Sequence, residues 1–138
     1  PILRGGIFFF ADLVRAVNTS VEIAPVKAWG YVENENAKLL DRVHVDVGSI
    51  PANGRRVLLV DDICDSGRTL KALKDKILEA GALEVRSAVL IKRELDEETF
   101  SPDWIGFSYK GPEWFVGYGM EDSERWRNLE SVYIIQQS

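Results

Sequence analysis

Between residues 57 and 91 an apolar run, a carboxylate-rich turn, a helical period and a second apolar run follow one another, and this succession constrains the fold more than any other feature. VLLV, residues 57–60, is uninterrupted in the manner of a central parallel strand covered on both faces. After DDICDSGR, the segment TLKALKDKILEAGA sets Leu70, Leu73, Ile77 and Ala80 at helical spacing, and Gly81 stands where a helix would stop. VRSAVLI, residues 85–91, is a second buried strand. Strand, helix and strand form a βαβ unit, and its right-handed crossover predicts an α/β fold: a mostly parallel, doubly wound sheet flanked by helices.

The remaining chain is organised around that unit. IFFFADLVRAV, residues 7–17, is apolar almost all round and predicts a buried helix stopped by Asn18. Residues 21–32 favour a strand in their second half, after Pro25. Residues 33–56 read as a long loop of the kind that forms lids, with a short alternating strand at Val43 to Val47. His44 there reads as a half-exposed strand residue. ELDEETF, residues 94–100, reads as a solvated loop, and Cys64 as an apolar slot in the central turn. The glycine- and tryptophan-rich end, about 100–138, suggests a cap of short antiparallel strands ending in VYII, residues 132–135.

Length and charge narrow the function classes. A chain of 138 residues suits one domain spanning 1–138, with about two-thirds of the unfolded surface buried. Seventeen basic against 22 acidic residues give a net charge of -5, which disfavours nucleic acid and anionic membranes as partners. No apolar run reaches spanning length, and the single cysteine can form neither an internal disulfide nor a structural zinc site. A cytoplasmic location is the expectation. The sequence opens at Pro1 with Met120 as its only methionine, so a strand or helix belonging before Pro1 is also expected.

In open α/β sheets, ligands bind beyond the carboxyl ends of the strands, which points to the turn after VLLV. Asp61, Asp62 and Asp65 lie there just ahead of Ser66, Gly67 and Thr69. Backbone N–H groups of a glycine turn at a helix start form an anion cradle, and the hydroxyls can add donors. Carboxylates cannot bind phosphate, but they can accept from ribose hydroxyls, hold Mg2+ or take a proton. A single Asp would be read as a helix cap. Three beside a phosphate cradle are matched to a sugar phosphate.

VLLVDDICDSGRTL resembles the phosphoribosyl pyrophosphate (PRPP) signature of type I phosphoribosyltransferases: four hydrophobic residues, two acidic ones, then an Asp-Ser/Thr-Gly-x-Thr turn. LRGGIFFFADLVRAV resembles the Leu-Lys-Gly-Gly loop and following helix of the hypoxanthine-guanine (six-oxopurine) branch, with Arg4 in place of Lys. VLIKRE and PDWIGFSYKGPEWFVGYGMEDSERWRNLESVYII resemble later segments of that branch, in the same order.

The resemblance implies an enzyme of purine salvage that joins hypoxanthine, guanine or xanthine to PRPP with Mg2+ and releases pyrophosphate. It implies Asp65 as proton acceptor, with Asp61 and Asp62 at the ribose and metal. Ser66, Gly67, Arg68 and Thr69 would wrap the 5-phosphate. Arg4, Gly5 and Arg127 would bind pyrophosphate, in a loop that contains a cis peptide in the family. Lys92 would donate to the six-oxo group, Trp114 would stack on the purine, and Phe115 would offer its backbone to the ring edge. Where the family carries a second metal-binding Asp, Glu121 is followed by Asp122, and either can take that role. Gly30 precedes Tyr31 where relatives carry a Ser-Tyr lid pair. A homodimer or homotetramer is implied as well.

From the residues alone, Lys92 and Arg93 could be a solvated pair and Trp114 a core residue. Two other functions compete: a non-catalytic PRPP- or nucleotide-binding regulator on the same fold, and a phosphoribosyltransferase for another base. Asp65 and Lys92 favour the enzyme, because a sensor of PRPP needs neither.

Overall fold

A computed structural model describes residues 1–30, 43–48, 50–95 and 99–135. The strands are β1 (Ile2–Leu3), β2 (Val26–Gly30), β3 (Val43–Asp46), β4 (Arg56–Cys64), β5 (Glu84–Arg93), β6 (Trp104–Tyr109), β7 (Trp114–Val116) and β8 (Tyr133–Ile135). The helices are α1 (Ile7–Ala16) and α2 (Arg68–Glu79). β4, β5 and β6 form one parallel sheet in that order. In a second sheet β1 pairs parallel with β2, and β2 pairs antiparallel with β3. β7 and β8 form an antiparallel ribbon. The predicted α/β architecture of mostly parallel strands flanked by helices is what the chain adopts.

α2 packs because its period is helical. Leu70, Leu73 and Ile77 fall on one face and are buried against Leu59, Val85 and Val89 of the sheet. Each such side chain contributes roughly 1.5–3 kcal/mol on leaving water. Lys71 and Asp75 form an exposed i,i+4 pair at 2.7 Å on the opposite side. Gly81 follows the helix at φ 94°, the left-handed conformation expected of its C-terminal glycine.

Four expectations change. α1 forms over the predicted residues but is not buried: none of its residues falls in the core, and Ile7 and Phe8 are 46% and 44% exposed. It packs on β4, and Phe10, Leu13 and Val14 line an open apolar groove of about 440 Å³. Apolarity all round shows what a helix could bury, not what covers it. The strand predicted at 57–60 runs on to Cys64, so Asp61 and Asp62 belong to β4 and not to the turn. Register with β5 explains the extension, since Asp61 pairs with Val89 and Cys64 with Lys92. Similarly, Lys92 lies within β5 and does not follow it. Finally, β6 is a parallel strand of the main sheet, so the cap begins after Tyr109.

His44 pairs with Trp29 in the β2–β3 register, but its expected half-exposure lies outside the described residues, as do Tyr31, where a lid is expected, and the acidic run at 96–98. The described residues of that run fit a solvated loop, since Glu94, Leu95 and Thr99 are exposed, and its far end is tied to the turn before α2, where Thr99 and Phe100 donate their N–H groups to Ser66 O at 2.9 and 3.2 Å. Cys64 is buried. Among the described residues, no helix is long and apolar enough to cross a membrane.

Candidate active site

Three separate segments meet at the carboxyl ends of β4 and β5. The first is the turn from β4 into α2. Gly67 caps α2 at φ 84°, where a Cβ would lie 2.1 Å from Phe100 O, so only glycine fits this turn. No side chain caps α2, and the N–H groups of its first turn point out of the helix without an intrahelical acceptor. Ser66, Gly67, Arg68 and Thr69 surround this N-terminus, a geometry suited to an anion.

The second segment is the loop at residues 3–6. The Leu3–Arg4 peptide is cis. Gly5 lies against Asp62, since a Cβ there would stand 2.2 Å from Asp62 Oδ2. Gly119 of the cap in turn approaches Gly5, where a Cβ would meet Gly5 O at 2.1 Å. The hydroxyl of Tyr118 donates to Asp12 Oδ2 at 2.5 Å and joins the cap to α1. Partial burial, with the hydrogen bond and charge of Asp12 added, pushes the Tyr118 phenol up to about 12.

The third segment is the cap. Trp114 is 45% exposed, not core, and its Nε1 donates to Glu121 O at 2.9 Å. Phe115 is buried and meets the Tyr109 ring edge-on at 4.8 Å. Arg127 donates through Nη1 to Gly119 O at 2.8 Å and pairs through Nη2 with Glu121 Oε1 at 3.2 Å. Its buried Nε finds no acceptor among the described residues. Glu121 also accepts from Glu124 N through Oε2.

Asp62, Asp65, Arg93, Trp114, Phe115, Glu121 and Arg127 line a common cleft of about 180 Å³. Arg4 and Arg127 line a second, open hollow beside it. The larger groove along α1 carries none of these groups, so chemistry and not volume marks the site. Lys92 and Arg93 are 5% and 8% exposed, which removes the solvated-pair reading. Lys92 Nζ donates to Asp65 O at 2.6 Å and to Arg93 O at 2.8 Å.

Asp61 and Asp62 are adjacent, and Asp61 Oδ1 accepts from Asp62 N at 3.0 Å. Asp61 keeps some open surface, yet burial of its carboxyl, with the Asp62 charge added, pushes its pKa well above the usual carboxylate range. Of the sequence-predicted residues, Asp62, Asp65, Trp114, Phe115, Glu121 and Arg127 share the cleft and Arg4 lines the hollow beside it, whereas Asp61, Lys92, Gly5 and the residues at the α2 N-terminus are not among the lining residues of either. Sequence reasoning missed Arg93 and Glu124. Arg93 was in view only as the neighbour of Lys92, and nothing local announced its burial.

Residues 1–123 match the phosphoribosyl transferase domain family. A hypoxanthine-guanine phosphoribosyltransferase of Aquifex aeolicus is 33% identical over an alignment of 140 positions that covers 98% of this chain and 75% of that protein. One from Streptococcus pneumoniae is 33% identical over 99% of this chain and 75% of its own length. The chain belongs to the phosphoribosyltransferase family. Solved relatives agree in fold. A Staphylococcus aureus hypoxanthine phosphoribosyltransferase superposes with a TM-score of 0.85 at 23% identity, covering 98% of this chain and 73% of that one. A Trypanosoma cruzi hypoxanthine phosphoribosyltransferase mutant, solved with the product IMP, gives 0.84 at 24% identity over 98% of this chain and 70% of that one.

Proposed function

We infer that this phosphoribosyltransferase serves purine salvage, transferring the 5-phosphoribosyl group of PRPP to hypoxanthine or guanine and releasing pyrophosphate. One observation carries the reading: Asp65, Trp114 and Phe115 border one cleft beside the uncapped N-terminus of α2. A proton acceptor, an aromatic wall and an anion cradle are what the transfer needs together.

In this reading Ser66, Gly67, Arg68 and Thr69 hold the 5-phosphate at the α2 N-terminus. Asp61 and Asp62 accept from the ribose hydroxyls. Trp114 stacks on the purine, Phe115 presents its backbone to the ring edge, and Lys92 donates to the six-oxo group. Asp65 takes the purine ring proton as that nitrogen attacks the anomeric carbon. The bond to pyrophosphate breaks, and the leaving group keeps the electron pair. Arg4, Gly5 and Arg127 receive the charge that grows on it, which lowers the barrier electrostatically.

The donor set suits Mg2+. Among the described residues no three His, Cys, Asp or Glu side chains converge as a closed protein cage, whereas Asp62 and Glu121 line the same cleft and Asp61 adjoins Asp62. Magnesium takes one or two carboxylates and fills its shell with water and phosphate oxygens. Asp61 and Asp62 would hold one such ion, and Glu121 would hold a second. When bound, magnesium neutralises charge on the pyrophosphate. Of Glu121 and Asp122, Glu121 is the cleft residue, which favours it for the second metal position.

The test is a spectrophotometric assay with PRPP, Mg2+ and each of hypoxanthine, guanine, xanthine, adenine and orotate. Turnover of a six-oxopurine that falls about 10²–10⁴-fold in Asp65→Asn is expected. PRPP binding by calorimetry without turnover of any base would replace the enzyme with a regulator.

A further inference from the structure

Arg93 ends β5 and is 8% exposed, an unusual position for a charged side chain. A buried charge must be paired and hydrogen-bonded, and this one is. Arg93 Nε donates to Asp65 Oδ1 at 2.8 Å, Nη1 to Gly111 O at 2.5 Å and Nη2 to Glu113 O at 3.1 Å. The guanidinium also lies 5.2 Å from the Phe115 ring centre and 6.0 Å from that of Tyr109. Its planar, rigid fork therefore holds three acceptors from two separate segments in fixed relation.

Those acceptors matter by position. The Asp65 side chain is 57% exposed, in the short turn between β4 and α2. An exposed Asp samples several rotamers, and the Arg93 bond selects one. Gly111 and Glu113 lead directly into β7, which carries Trp114 and Phe115. One guanidinium thus ties a carboxylate on the sheet side of the cleft to the aromatic wall on the cap side. The preceding residue, Lys92, holds the same Asp65 by its backbone carbonyl.

We propose that Arg93 is a positioning residue for phosphoribosyl transfer, fixing the Asp65 carboxylate and the base-facing segment of the cap in one frame. The proposal rests on the purine-salvage reading, in which Asp65 takes the proton of a purine stacked on Trp114. Arg93 borders the cleft, but its Nε, Nη1 and Nη2 each donate to Asp65, Gly111 or Glu113, so in this proposal it acts on the base through those partners. Loss of the frame misplaces the acceptor by a fraction of a side-chain rotation, and an error of about 1 Å can cost about 10²-fold.

The experiment is a kinetic cycle on the full chain with hypoxanthine, PRPP and Mg2+, using Arg93→Met, Asp65→Asn and the double variant, with Arg93→Lys alongside. Met keeps the apolar stem, and Lys keeps the charge but not the fork. Expected is a fall in kcat of about 10- to 100-fold for Arg93→Met, with KM for PRPP within about twofold of the parent and a smaller fall for Arg93→Lys. The double variant should be no slower than Asp65→Asn alone, because a residue acting through Asp65 has nothing left to position. A merely structural role would lower both backgrounds by the same factor, and that result overturns the proposal. So does a kcat within twofold of the parent in Arg93→Met. If Arg93→Met fails to fold, the Arg93→Lys cycle decides by the same criterion. A parent without turnover of any six-oxopurine is a different result: the purine-salvage reading falls, and the positioning role falls with it.

Discussion

Glu124 Oε1 accepts a hydrogen bond from Arg4 Nη2 at 2.5 Å, although 120 residues separate the two in sequence. The other carboxylate oxygen lies 3.9 Å from Arg127 Nη2. An internal anion therefore engages both cations assigned to pyrophosphate. Arg4 and Glu124 are 63% and 65% exposed, so solvent screens the pair and it is worth about 0.2–1 kcal/mol at most. Glu124→Gln is expected to tighten pyrophosphate binding by up to about fivefold in calorimetry, with the gain shrinking at high salt. Unchanged or weaker binding would show that Glu124 does not compete for this site.

Asp61 sets a pH dependence of stability. Its folded pKa is raised by burial and by Asp62, so the native state holds the proton more tightly than the unfolded chain. As pH rises from the unfolded value of about 3.9 through the raised folded value, the unfolded state ionises first and stability falls. Asp61→Asn keeps the oxygen that accepts from Asp62 N and removes the charge. Its unfolding midpoint should exceed the parent's at pH 7, with the gap closing towards pH 4. A constant gap across that range would refute the assignment.

Trp114 should act on base affinity and not on the fold. It is 45% exposed, and stacking on an aromatic face contributes about 1–3 kcal/mol per base. Trp114→Ala should raise KM for hypoxanthine by roughly 5- to 100-fold and leave KM for PRPP near the parent value. Trp114→Phe retains the stack but loses the bond to Glu121 O, and should recover most of the affinity. Equal effects on both substrates would point to a displaced cap.

Gly67→Ala tests the anion cradle. The φ of 84° disfavours any Cβ, and this one would collide with Phe100 O. A strained position of this kind costs about 1–3 kcal/mol. Lower thermal stability and loss of PRPP binding by calorimetry are expected together. Retention of PRPP affinity would place the 5-phosphate elsewhere.

The βαβ core was legible because its signals are local. Leu70, Leu73 and Ile77 state a helix period within a dozen residues, and their burial followed. The turn chemistry at Asp65–Gly67 was legible for the same reason: residue types for a cradle and for proton transfer stand within a few positions. Lys92 and Trp114 were found only through the family resemblance, since a lysine beside an arginine looks solvated from either side.

The sequence by itself determined the α/β class, the family and the turn proposed to carry the site, because periodicity, turn chemistry and motif order are carried by neighbouring residues. Tertiary structure decided the rest. The extension of β4 through Asp61 and Asp62 depends on register with β5, and β6 joins the sheet by pairing with that same strand. The burial of Arg93 depends on carbonyls 18 and 20 residues away. Glu124 meets Arg4 only because the cap folds back over the 3–6 loop, where Gly119 touches Gly5. Each is a meeting of distant segments, and the desolvation and pairing that give such residues their roles exist only once those segments have packed.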